Sequence, residues 1–126
     1  VTAAELLQFA EDLNAVSSSE ISRRTAVGRA YYCAYHLAND FHESLPTPGI
    51  NVGNGGVHDQ LYAKMLNPSI KKEDCRYSKS RRIAIIAKQI KAYRAIADYE
   101  LNSNLDAGVS NSAIELTRRL RTLIDE

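Results

Sequence analysis

The chain has 126 residues, 16 of them Lys or Arg and 15 Asp or Glu, and 44% of it is hydrophobic, with a net charge of +1. That length and composition predict one soluble globular domain, residues 1–126, able to bury a core without disulfide or metal staples. They exclude a bilayer-spanning protein, because no apolar run nears the roughly 20 residues required, and a chain whose overall charge would coat nucleic acid.

The elements punctuate themselves in order. Thr2 and Glu5 form a capping box that opens a first helix to about Val16, with Leu6, Leu7, Phe9, Ala10 and Leu13 available for burial. Three serines break it, and Ser17 with Glu20 forms a second box that launches a long helix over about Ser19 to Leu45. Val27, Ala30, Tyr31, Ala34, Leu37, Ala38, Phe41 and Leu45 recur on it at the three-and-four spacing of a buried helix face. Arg29, Cys33, His36 and Asp40 make one polar row beside that face, because successive helical residues rotate by about 100°. Pro46 and Pro48 stop this helix, and a Gly-rich loop follows.

A shorter helix is predicted over Val57 to Leu66, ended by Asn67 and Pro68. Lys71 to Lys79 reads as a basic, partly ordered connector. A second long helix runs from about Ser80 to Leu101 with Ile83, Ile86, Ala87, Ile90, Tyr93, Ala97 and Leu101 on one face. Arg94 falls within that apolar stripe, where an unpaired guanidinium costs several kcal/mol, and Asp98 one turn later is its local partner. Asn102 to Ser110 reads as a polar loop, and Ser112 with Glu115 as the cap of a last helix that turns Leu116, Leu120 and Leu123 inward and Arg118, Arg119 and Arg121 outward. Nothing reads as a strand. The fold class is therefore all-α, an up-and-down bundle of about five helices, two of them long.

Charge is unevenly spread. Residues 71–94 carry 9 basic and 2 acidic side chains, while the segments on either side are each acidic by 3. Within that stretch Arg76, Arg81 and Arg82 are candidates for holding a phosphate backbone or an acidic partner; the plain alternative is a solvated helix face. The amino terminus lacks the basic-then-apolar pattern of a signal peptide, and Cys33 and Cys75 have no paired spacing, so a cytoplasmic protein with reduced thiols is expected. Three histidines and two scattered cysteines do not compose a zinc site, and no cofactor is called for.

Three segments in order carry a resemblance: SRRTAVGRAYYCAYHLA, then VHDQLYAKML after the Gly-rich loop, then RAIADYEL on the later long helix. The first is similar to an RAYYAAFH-like pattern and the last to an R-x-x-A-D-Y pattern, and together they resemble the HEPN superfamily (higher eukaryotes and prokaryotes nucleotide-binding domain) over residues 20–125. The resemblance implies a bundle of four or five helices that commonly forms a homodimer. It also implies a range of roles, from RNA-cleaving toxins and defence effectors to non-catalytic nucleotide-binding or accessory, antitoxin-like modules with a cognate protein partner. The family's nuclease signature is an Arg, usually followed by a polar residue, with a His four to six positions beyond. Arg94 has no histidine after it, whereas Arg29 and His36 on the earlier helix have six residues between them, a formal match with Ala30 in place of the polar residue.

Metal-independent RNA cleavage needs a base for the 2′-hydroxyl proton, an acid for the leaving oxygen and a cation at the phosphate. Histidine suits the first two roles and arginine, with its planar fork, the third. The catalytic candidates are Arg29, His36, Arg94 and His58, with Asp40 able to orient His36 and Asp98 beside Arg94. His58 opens its helix where free backbone N–H groups favour an anion. Tyr31, Tyr35, Tyr93 and Tyr99 serve either as bases' stacking partners or as core with the hydroxyl at the rim.

Overall fold

The computed structural model describes residues 1–16, 19–50 and 55–126. Among them there are five helices and no strand: α1 (Ala3–Val16), α2 (Glu20–Glu43), α3 (Val57–Leu66), α4 (Cys75–Tyr99) and α5 (Ala107–Asp125). This is the all-α bundle expected. Thr2 caps α1, its hydroxyl accepting the Glu5 N–H at 3.1 Å. Ser19 caps α2, accepting the Ser22 N–H at 3.3 Å; the expected box from Ser17 lies outside the described residues.

Two helix starts differ from expectation. α4 begins at Cys75 rather than Ser80, because Asp74 caps it, accepting the Arg76 backbone N–H at 2.9 Å. Much of the basic connector is therefore helical, and Lys79 donates to the Ile124 and Glu126 carbonyls at the end of α5. Ser80 is buried and donates to the Met65 carbonyl at 2.9 Å, tying α4 to the end of α3. α5 begins at Ala107, capped by Asp106, whose carboxylate accepts the Val109 N–H at 3.1 Å; Ser112 sits inside it.

α2 is the hub and packs against all four other helices. Its buried face is built largely of small residues, Ala26, Gly28, Ala30, Ala34 and Ala38, which let the neighbours approach closely. The main core joins Tyr31, Leu61, Tyr62, Met65, Ile83, Ile90 and Leu120 across α2 to α5. Each large apolar side chain so buried contributes about 1.5–3 kcal/mol. A second cluster joins Leu7 and Ala10 of α1 to Ala26, Cys33 and Ile114. Phe9, expected inside, is 54% exposed, and Leu101 lies past the end of α4 and is 73% exposed.

The buried arginine is not Arg94 but Arg24, 7% exposed. Its guanidinium donates to the carbonyls of Ile96, Ala97, Glu100 and Ser103 at 3.1, 2.9, 3.1 and 2.6 Å, and to Glu20 Oε1 at 2.7 Å. It thus closes the carboxyl end of α4, where carbonyls lack intrahelical partners. Arg94 is only partly covered, because α4 turns it to the rim of the α2 seam, and it pairs with Asp98 at 2.7 Å as expected.

Candidate functional site

α2 carries tyrosines in succession, and α3 and α4 bring a histidine and an arginine onto them. Arg29 stands one turn before Tyr32, with its guanidinium carbon 4.5 Å from the ring centre. From α4, Arg94 places its guanidinium carbon 5.9 Å from the same ring and 5.4 Å from that of Tyr31. Tyr32 is thus flanked by two cations, a geometry in which ring quadrupoles attract guanidinium groups. Arg94 commits Nε to Asp98, leaving its terminal nitrogens for another acceptor. Arg29 makes no hydrogen bond or ion pair among the described residues.

Two grooves meet at this pair. One, of about 480 Å³, is lined by Arg29, Tyr32, His36 and Asp40 together with Thr2 and Leu6 of the amino-terminal segment. The other, of about 330 Å³, is lined by Gly28, Arg29, Tyr32, Arg94, Asp98 and Leu101, among others. Gly28 keeps its floor low: a β-carbon there would lie 3.9 Å from Asp98 Oδ1. Arg29 and Tyr32 belong to both grooves.

His58, the second residue of α3, stacks on Tyr35 with ring centres 3.9 Å apart and meets the Tyr31 hydroxyl through Nδ1 at 2.7 Å. The Tyr31 hydroxyl also lies 2.8 Å from the buried Tyr62 hydroxyl. Burial pushes the His58 imidazole below its ordinary pKa, the charges of Arg94 and Lys91 push it further and His36 adds slightly, while Asp59 opposes them. Asp59 is itself paired with Lys91, which joins the start of α3 to α4. Burial also pushes the Tyr31 phenol up to about 12 and that of Tyr62 higher, so both stay neutral hydroxyls.

The sequence-predicted residues therefore fall into two groups. Arg29, His36, Asp40, Arg94, Asp98 and His58 gather around Tyr31, Tyr32 and Tyr35. His36 and Asp40 line the groove as exposed side chains and make no hydrogen bond to each other among the described residues, so Asp40 does not orient His36. Cys33, expected in the same row, points into the core, and burial pushes its thiol up to about 11. Arg76, Arg81 and Arg82 lie apart: Arg81 is 13 residues from Arg94 along α4, about 20 Å at the helical rise. Arg76 is held on its own helix start by Asp74 at 2.6 and 3.0 Å, and Arg82 lines a small cavity with Arg118 and Arg119. Tyr93 faces a separate groove of about 740 Å³ between α4 and α5.

Sequence reasoning did not single out Tyr32 as the shared wall or Tyr62 as the partner of Tyr31. The adjacency of Tyr31 and Tyr32 to Arg29 was the available signal for the first; the second is a contact between residues 31 apart, with no local mark. Among the described residues no three His, Cys, Asp or Glu side chains gather as metal ligands do, and no helix is long and apolar enough to cross a membrane. Comparison of the chain with protein-family models, curated proteins and solved structures finds no match to any of them.

Proposed function

We propose that this chain is an RNA-directed module of the HEPN-like kind, a metal-independent endoribonuclease of the toxin or defence type, acting as a homodimer or with a cognate partner. The observation that carries the reading is the pair of guanidiniums about Tyr32, one with no carboxylate partner and the other with its terminal nitrogens uncommitted among the described residues, near two histidines. Two such forks in adjoining grooves suit phosphate oxygens, which accept bidentate donors. The tyrosine rings offer faces for unstacked bases.

In the cleavage step the ribose 2′-oxygen attacks the neighbouring phosphorus and its proton passes to an imidazole. The bond from phosphorus to the 5′-oxygen breaks, and that oxygen takes a proton from an acid or from water, leaving a 2′,3′-cyclic phosphate. Arg29 and Arg94 stabilise the charge that builds on the phosphoryl oxygens. His36 lines the first groove, and His58 stands on Tyr31 and Tyr35 of the same helix.

A second reading, a non-catalytic module that binds RNA or a nucleotide, is favoured by one observation: Asp40 does not hold His36 in a fixed orientation. Both readings meet in one assay, incubation of the purified chain with end-labelled single-stranded RNA in a chelator. The first expects products with cyclic phosphate ends, reduced at least about a hundredfold in Arg94→Ala and His36→Ala and unchanged in Arg81→Ala. Binding without cleavage, lost in Arg29→Ala, supports the second. Neither binding nor cleavage removes both.

A further inference from the structure

The hydroxyls behind His58 form a closed chain, and counting their hydrogens fixes more than a contact. Tyr62 is 1% exposed, and its hydroxyl meets only Tyr31 among the described residues. The Tyr31 hydroxyl, fully buried, meets Tyr62 and His58 Nδ1. Each phenol has one hydrogen to donate. If Nδ1 carried a proton it would donate to Tyr31, Tyr31 to Tyr62, and the Tyr62 hydrogen would be left in the core with no acceptor among the described residues. In the opposite direction Tyr62 donates to Tyr31 and Tyr31 to a bare Nδ1, so both buried phenol hydrogens are placed and the ring's own hydrogen sits on Nε2, at the half-buried end of the chain. Unpaired buried donors are the costlier defect, because an oxygen with one unused lone pair still takes part in a hydrogen bond.

We propose that Tyr31, backed by Tyr62, is a positioning residue that holds His58 in the neutral form with its proton on Nε2, so that His58 serves the site as a hydrogen-bond donor and leaves proton abstraction to His36. The use of that donor toward phosphate rests on the functional reading above; the locked tautomer does not. The groups facing His58 agree with a neutral ring. From α4 come Lys91 and Arg94 and from α2 His36, against the single carboxylate Asp59 of α3, which Lys91 already pairs. Stacking on Tyr35 fixes the ring plane, so the nitrogen opposite the tyrosine chain keeps one direction.

The division of labour follows. A neutral imidazole bearing hydrogen on Nε2 has its only lone pair on Nδ1, occupied by Tyr31, and cannot take the 2′-hydroxyl proton. It can donate to a phosphoryl oxygen as charge develops there, beside Arg94. His36, exposed on the groove that Arg29 shares and held by no hydrogen bond among the described residues, is the imidazole with a nitrogen available as base.

The test is nitrogen-15 NMR of the histidine side chains in the full chain at neutral pH, assigned by comparison with His58→Gln. The wild-type protein is expected to show His58 as the Nε2–H tautomer, favoured by roughly tenfold or more. Tyr62→Phe should keep that tautomer, because Tyr31 still donates to Nδ1, whereas Tyr31→Phe should lower the ratio several-fold, toward that of an imidazole with no partner on Nδ1. A wild-type His58 that is protonated on Nδ1, or charged, overturns the proposal whether or not either variant folds. So does a folded Tyr31→Phe protein with the wild-type tautomer ratio, since a purely structural tyrosine would leave it unmoved. RNA binding is measured on the same samples: the locked tautomer without binding retains the proposal and removes the functional reading, and the reverse result does the opposite.

Discussion

The guanidinium carbon of Arg29 lies 4.5 Å from the centre of the Tyr32 ring, one turn along the same helix, and has no carboxylate to answer it among the described residues. An arginine held over a ring keeps its hydrogens directed outward at the ring's edge, ready for an anion that approaches either groove. The stability of the α2–α4 seam that carries this arrangement depends on a different arginine.

Arg24 closes the end of α4 through four carbonyls and holds Glu20 at the start of α2. Arg24→Met should fill much the same volume yet take the guanidinium from all four carbonyls and from Glu20; Glu20 would keep the Leu105 N–H, Ile96 the Glu100 N–H and Glu100 its bonds from Ser103, while Ala97 and Ser103 lose the side-chain donor. The expected loss is about 3 kcal/mol, read as a lower urea midpoint. Arg24→Lys should lose most of this too, since one ammonium cannot span the set. A midpoint within experimental scatter of the parent would show that the clamp is dispensable.

Gly28→Ala tests the floor of the Arg94 groove. The added β-carbon would sit 3.9 Å from Asp98 Oδ1, an ordinary contact, inside a helix where glycine is the poorer residue. Stability should rise by about 0.5–1 kcal/mol, with a melting temperature a few degrees higher. A fall in melting temperature would mean that α2 and α4 approach too closely there to accept a methyl group.

Much of the bundle was legible from the chain because caps and apolar spacing act locally. Thr2 and most of the stripes of α2 and α4 appear where the spacing puts them, whereas the cap of α2 is Ser19, which the spacing of Ser17 and Glu20 did not mark, and Leu101 falls outside α4. Asp106 was harder to see, since Gly108 and the run of polar residues around it look like a loop until the aspartate's bond to Val109 is known. Periodicity also puts a side chain on a face without revealing what lies opposite: it marked Arg94 as the anomalous charge, while the buried one is Arg24. The gathering of Arg29, His36, Arg94 and His58 near three tyrosines depends on how α2, α3 and α4 cross, which no short segment encodes.

His42 provides a pH prediction. It is 7% exposed, and its Nδ1 has no partner among the described residues. Burial pushes its pKa below the ordinary 6.5, and Lys64 pushes it further. The unfolded chain therefore binds a proton that the fold rejects, so this contribution to stability is complete above about pH 6.5 and is lost as pH falls below it, by at most about 1.4 kcal/mol per pH unit. His58 is shifted the same way and adds to the slope. Glu20, Asp59 and Asp74, whose pKa values are lowered by their partners, lose their contributions only at more acid pH. Between pH 7 and 5.5 the urea midpoint of His42→Leu should fall less than that of the parent. Identical slopes would place the effect elsewhere.

If Arg29 and Arg94 hold phosphate as proposed, the affinity for a short single-stranded RNA measured across a salt series reports it most directly. Replacing both arginines by alanine should weaken binding at least about tenfold and reduce the slope of log affinity against log salt by about 1.4, the counterions of two phosphate contacts on a single strand. A folded double variant that binds the RNA with the parent's affinity and slope would contradict the account.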